Sequence, residues 1–319
     1  MSGLWSLALL YMKLYAYSMI LTLLGVFFAE YAVGRGVARA LAHPFRKLLA
    51  AAGAPPELAS YVSLSIIGSR AAHAMLSKLY ADGVLGDWNV IACSLLMAPF
   101  TWFSMVVRRT IPLSYALLGF KAATIFIALT FSIQLARMAL GVLFSRRISW
   151  SRTLEHLESK TSSIERVCLK EAFMRSLKFT FRIGVRLLAA TWVIILLVYI
   201  GFFDRVNRIL EPIAYEFGVN SQVATIAVAR ATIPVIGLYT AGQLLKSGVV
   251  HVYPAVFGLL LGNMLYVVFI EYIKNIIPYY TSLYNYRVAL KYTIVSLTLT
   301  ITLYTSILVM LLKTGLVYH

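Results

Sequence analysis

Charge is scarce in this chain. Only 13% of its 319 residues are charged, about half the share in an ordinary soluble domain. Acid is scarcer still, with 12 Asp and Glu against 29 Lys and Arg and a formal net charge of +17. So few carboxylates leave little material for acid–base pairs or carboxylate metal cages. Cysteine is nearly absent: Cys93 and Cys168 form neither a metal-ligand spacing nor a disulfide framework. No HExxH, GxSxG or P-loop pattern occurs, so the chain is read as a non-enzyme without an ATP site. The first residues carry no basic region and no small-residue cleavage site, so a removed signal peptide is not expected.

Apolar residues fill the gap. They make up 61% of the chain, and the mean hydropathy is +0.82, which marks an integral membrane protein. The apolar stretches are long, rich in Leu and Ile, and lack alternating polar positions, which points to helices and away from a β-barrel. The basic residues sit beside those stretches, so they are read as topogenic and headgroup-binding, not as a nucleic-acid surface.

In order, Leu14 to Val33 reads as a span. Gly34 to Gly53, with Arg35, Arg39, Arg46 and Lys47 among Ala and Leu, reads as an interfacial amphipathic helix interrupted near Pro44. Glu57 to Asp82 is apolar but broken at Gly68-Ser69 and carries Arg70 and His73, which suits a re-entrant hairpin. Trp88 to Val107 spans, Arg108-Arg109 and Pro112 mark a tight turn, and Leu113 to Phe144 is a long helix. Ser145 to Arg186 holds ten Lys or Arg against four Glu and is placed in the cytoplasm. The order then recurs: a span at Leu187 to Phe203, a short amphipathic piece at Asp204 to Phe217, and a broken stretch at Gln222 to Ser247. A span at Val252 to Ile273, a turn at Pro278 and a helix from Tyr284 to Leu312 complete it.

A shift of about 165 residues superimposes the halves. Gly53 falls on Gly218, Gly83 on Gly248, Glu57 on Gln222, Ser60 on Thr225, Trp88 on Tyr253 and Gly68-Ser69 on Ile233-Pro234. One residue later, RRTIP (108–112) meets KNIIP (274–278) and GFKAA (119–123) meets NYRVA (285–289). With both broken stretches re-entrant, each half has an odd number of spans and the halves insert in opposite orientation. The basic 34–47 helix and the slightly acidic 204–217 piece then lie on opposite sides, as charge bias requires; Arg108-Arg109 is the exception. The expected fold is all-α: a first inverted repeat over 1–144 (hairpin 57–82), a cytoplasmic linker over 145–186, and a second repeat over 187–319 (hairpin 222–247). Both termini are then outside the cell membrane.

Arg70 lies just past the first break and Arg230 three residues before the second. Helix ends expose unpaired backbone groups and N-terminal ends favour anions, so two arginines there can clamp a phosphate or carboxylate. Equally, each can bind stray carbonyls for structure alone. Ser65, Ser69, Thr225, Thr232 and Asn263 join them as substrate-binding candidates; the hydroxyl residues among them, with Ser60 and Ser63, allow close helix packing as well as ligand contact. His73, one helical turn from Arg70, suits either a coupling proton or plain packing. Glu57 and Gln222, at equivalent hairpin starts, are further coupling-ion candidates. Tyr279, Tyr280 and Tyr284 read as interface anchors.

This order of span, interfacial helix, broken hairpin and two spans, given twice, resembles the nucleoside-recognition Gate-domain proteins and, more distantly, the concentrative nucleoside transporters. The Gly53–Gly83 and Gly218–Gly248 blocks carry the resemblance. It implies hairpin tips meeting near mid-membrane with substrate held by polar residues there. The expected function is secondary transport of a small, anionic or nucleoside-like solute, coupled to H+ or Na+, with no other cofactor. The expected partners are membrane lipids and a second copy of the chain. A flippase for a polyprenyl phosphate, a nucleoside transporter and a non-transporting scaffold are the alternatives.

Overall fold

A computed structural model describes residues 37–67, 69–150 and 221–315, with scattered positions between 9 and 27 and between 170 and 200. Among the described residues there are helices and no strand. Apart from those scattered positions, the Leu14–Val33 and Leu187–Phe203 spans and the linker beyond Trp150 lie outside the described residues, as does the whole Asp204–Phe217 piece. Among the described residues three helices are long and apolar enough to cross a membrane: Thr110–Ser145, Val252–Leu283 and Tyr286–Lys313, of 36, 32 and 28 residues. About 20 residues suffice to cross the hydrocarbon core. The protein is a helical membrane protein.

The chain divides into two compact units. The first takes Met1–Met105, Gln134–Val193 and Pro278–Leu290; the second takes Val106–Ile133, Ile194–Ile277 and Lys291–His319. Each unit therefore includes a segment from the other half of the sequence.

In the first unit, helix α1 (Val37–Ala51) buries Phe45 and Leu49 and exposes Arg46 and Lys47. It runs through Pro44 without the expected interruption; one proline removes a single backbone bond, which the flanking turns here outweigh. A 3-10 turn at Pro56–Leu58 leads into α2 (Ala59–Val62), α3 (Leu64–Ile67) and α4 (Ser69–Ala81). Helix α4 ends at Gly83 (φ 75°), where Gly83 N–H bonds Tyr80 O and Val84 N–H bonds Leu79 O. Gly248 (φ 71°) ends its own helix with the same pair of bonds, to Leu245 O and Leu244 O. The left-handed stop needs glycine, and the halves use it at matching positions.

Helix α5 (Asp87–Leu96) passes through the helical Met97 into α6 (Ala98–Ser145). The turn expected at Arg108–Pro112 is absent; the break lies at Gly119 (φ 76°, ψ 173°). There the chain reverses: a Cβ on Gly141 would lie 2.8 Å from Leu95 Cβ, although a straight helix would hold those residues tens of ångströms apart. Pro112 costs a helix one bond, whereas reversal needs a residue able to leave the right-handed region, which Gly119 is.

In the second unit, α7 (Ser221–Thr232) and α8 (Pro234–Lys246) pack on each other and on α9 (Val252–Tyr266). A π-helical stretch (Val267–Ile276) continues the line; α10 (Ile277–Leu283) belongs from Pro278 on to the first unit, as does α11 (Tyr286–Lys313) as far as Leu290, and the rest of α11 belongs to the second. Pro278 lies inside α10, so the expected turn there is replaced by a break at Tyr284-Asn285. In the sequence match of GFKAA (119–123) with NYRVA (285–289), Asn285 falls on Gly119, so both reversals fall at one position of that match. The core of this unit joins Phe126 and Ile133 to Val223, Ile226, Phe257, Leu260 and Leu308.

The break at Asn285 is held within the first unit by side chains. Asn285 Oδ1 accepts Val288 N–H at 2.9 Å, capping α11, and Asn285 Nδ2 donates to Tyr80 OH at 2.7 Å. Tyr80 OH in turn donates to Asp87 Oδ1 at 3.2 Å. Asn285→Ala removes both functions and is expected to destabilise by ~1–3 kcal/mol, read by thermal unfolding in detergent. Asn285→Asp, which keeps the cap alone, should recover about half.

Candidate functional site

Helix α7 stops because Ile233 is extended (φ −137°, ψ 111°) and Pro234 opens α8 without a side-chain cap. The two helices fold back tightly. A Cβ on Gly237 would sit 2.4 Å from Arg230 Cα, whereas residues seven apart in a straight helix are about 10 Å apart. This turn brings Arg230, on the last turn of α7, over the start of α8.

Arg230 is buried, with 6% of its surface exposed. Its Nη1 donates to Pro234 O, and its Nη2 donates to Asn263 Oδ1 at 3.0 Å. Asn263 Nδ2 donates to Tyr304 OH at 2.5 Å, which fixes the amide from α11. The guanidinium carbon lies 5.5 Å from the centre of the Phe126 ring. Among the described residues no carboxylate pairs with Arg230, and its buried Nε has no hydrogen-bond partner. A guanidinium has five N–H donors; the two protein bonds leave the Nε edge uncommitted. A buried cation balanced by neutral groups alone is an arrangement that an incoming anion completes.

Arg70 and His73 lie in the first unit, on α4. Arg70 is exposed, with its guanidinium carbon 5.9 Å from the centre of the Tyr279 ring, and its carbonyl accepts Tyr279 OH at 3.1 Å. His73 is buried; its Nε2 and Tyr280 OH are hydrogen-bonded at 2.7 Å, and its carbonyl accepts Tyr284 OH at 3.2 Å. Tyr280 and Tyr284 stack at 6.0 Å. Tyr280 and Tyr284 are therefore buried packing residues and not the expected interface anchors, while half-buried Tyr279 bonds the same helix; each hydroxyl finds a partner on α4.

The remaining candidates have surroundings of their own. Thr225 and Thr232 are exposed and bond their own helix, at Ser221 O and Val228 O. Gln222 Oε1 accepts from Ser221 Oγ at 3.3 Å. Glu57 is exposed, Ser69 half-buried, and Ser65 fully buried in the first unit with no hydrogen-bond partner for its Oγ among the described residues. Asn263 is the candidate that does join Arg230. Sequence reasoning missed Tyr304 and Phe126; the signal for Tyr304 was the one aromatic ring between Thr293 and Lys313, in a stretch of aliphatic and hydroxyl residues. Under the repeat, Arg230, Asn263 and Tyr304 stand where the first half has Ser65, Ala98 and Met138. The cationic cluster belongs to one half only.

No family model matches the chain, and no solved structure matches it. The chain is similar to three uncharacterised proteins of Methanocaldococcus jannaschii. One is 24% identical over 288 residues, covering 89% of each chain. A second is 25% identical over 231 residues, covering 71% of this chain and 74% of the relative. A third is 24% identical over 277 residues, covering 85% and 86%.

Proposed function

We propose that the protein is a secondary-active transporter of a small anionic solute. Arg230, oriented by Asn263 and Tyr304 beside the N-terminal end of α8, binds the anion. The observation that carries this reading is the buried guanidinium with neutral partners and a free Nε edge. An anion bound there gains two charge-assisted bonds and the favourable end of a helix dipole. In this reading 57–82 and 222–247 are re-entrant hairpins of two inverted repeats, and the matching glycine stops and reversals support that symmetry. Alternating access then moves the hairpin units, coupled to an H+ or Na+ gradient.

The test is uptake into proteoliposomes of phosphate, dicarboxylates, nucleotides and nucleosides. At least one anion is expected to accumulate, and Arg230→Ala is expected to remove that uptake while Arg70→Ala keeps it. Equal uptake by the parent and Arg230→Ala sinks the proposal. A second reading, a flippase for a lipid-linked phosphate, draws on the exposed apolar residues Ile233, Val235 and Ile236 around the break. Scrambling of a polyprenyl phosphate without uptake of any soluble anion would select it.

A further inference from the structure

The two helix reversals carry matching side chains. Gly119 is followed by Phe120 and Lys121, and its counterpart Asn285 by Tyr286 and Arg287. Phe120 is 78% exposed and Tyr286 73%, and both cations beside them are exposed. The Phe120 ring is braced from one side by Tyr115, with centroids 5.7 Å apart. Beyond each tip the charges stop: none occurs from Ala122 to Ala136, and none from Tyr292 to Leu312.

An aromatic ring beside a cation, where charge gives way to a membrane-length apolar helix, has the chemistry of the lipid headgroup region. The ring fits at the level of the acyl carbonyls, and the cation meets a phosphate. In water the same rings would leave large apolar faces uncovered.

We propose that Phe120–Lys121 and Tyr286–Arg287 are paired lipid anchors seated among anionic phospholipid headgroups. They hold the two reversals at the membrane surface while the rest of each unit is free to move. Their placement in opposite leaflets rests on the inverted-repeat reading; the anchoring does not.

The test uses the full chain carrying Cys93→Ala and Cys168→Ala in vesicles of phosphatidylglycerol and phosphatidylcholine. Phe120→Cys and Tyr286→Cys, one at a time, take a nitroxide whose depth is read from accessibility to oxygen and to a nickel chelate. Interfacial depth at both sites is expected. Water-like accessibility at both, or blockage from both reagents as under a bound protein, overturns the anchors; so does a depth at the bilayer centre. A membrane-impermeant reductant added outside should quench one label and spare the other. Quenching of both at interfacial depth keeps the anchors and overturns the inverted repeat. Lys121→Gln and Arg287→Gln should each lower phosphatidylglycerol enrichment around the purified protein roughly five-fold. Unchanged enrichment in both would remove the headgroup contact.

Discussion

Replacing the whole polar cluster, as Arg230→Met with Asn263→Leu and Tyr304→Phe, should leave a protein at least as stable as the parent and without uptake. Burying a guanidinium costs several kcal/mol that hydrogen bonds to neutral groups recover only in part, so a well-packed apolar set of similar volume is neutral to ~4 kcal/mol more stable. Asn263→Leu alone should behave in the opposite way. It strips Arg230 Nη2 of its acceptor and leaves a buried charge further unbalanced, at a cost of ~3–5 kcal/mol. Uptake in the triple variant should fall at least ~100-fold, the worth of two charge-assisted bonds to an anion. Thermal unfolding and proteoliposome uptake on the same preparations decide the matter. A cluster kept only for structure would give a triple variant less stable than the parent, with uptake tracking the amount of folded protein.

That contrast also shows what was legible in the sequence. The interruptions were: Gly83, Gly248 and Ile233-Pro234 lie where helices end, because left-handed glycine and helix-opening proline are local requirements visible in the residues themselves. The reversals were misplaced by several residues. Pro112 and Pro278 looked like turns, but proline sits inside α6 and α10, and the breaks fall at Gly119 and Asn285 instead. Arg230 and Asn263 stand out in the sequence because polar groups within apolar stretches are conspicuous. Their partnership does not, since it joins helices 33 residues apart in sequence. Thr225 and Thr232 each bond the carbonyl four residues back, so a hydroxyl in a helix can satisfy itself and its presence predicts nothing about a ligand. The burial of Tyr280 and Tyr284 depends on the returning chain meeting α4, which no local pattern announces.

The second large effect is expected at Gly262. Helices α7 and α9 meet along Gly258 and Gly262, where an added Cβ would lie 2.8 Å from Val223 O and 2.3 Å from Ala227 O. Both obstacles are backbone atoms, so no side-chain rotation relieves them and α7 itself must move. In a membrane no hydrophobic force draws the helices together again; close backbone packing is what holds them. Gly262→Ala should destabilise by ~1–3 kcal/mol and Gly262→Leu by more. The added Cβ would also sit 2.6 Å from Arg230 Cβ, so the displacement carries the guanidinium away from Asn263. Uptake should therefore fall further than the loss of folded protein explains. Gly83 supplies the contrast. Nothing lies within 4 Å of its added Cβ, and its requirement is a positive φ of 75°. Gly83→Ala should cost ~1–2 kcal/mol and Gly83→Asn less, because Asn tolerates the left-handed region. Gly262→Asn should show no such recovery, since its obstacle is space. Equal recovery by Asn at both positions, measured by unfolding in mixed micelles, would remove the close helix contact as the reason for Gly262 and with it the positioning of Arg230 through α7.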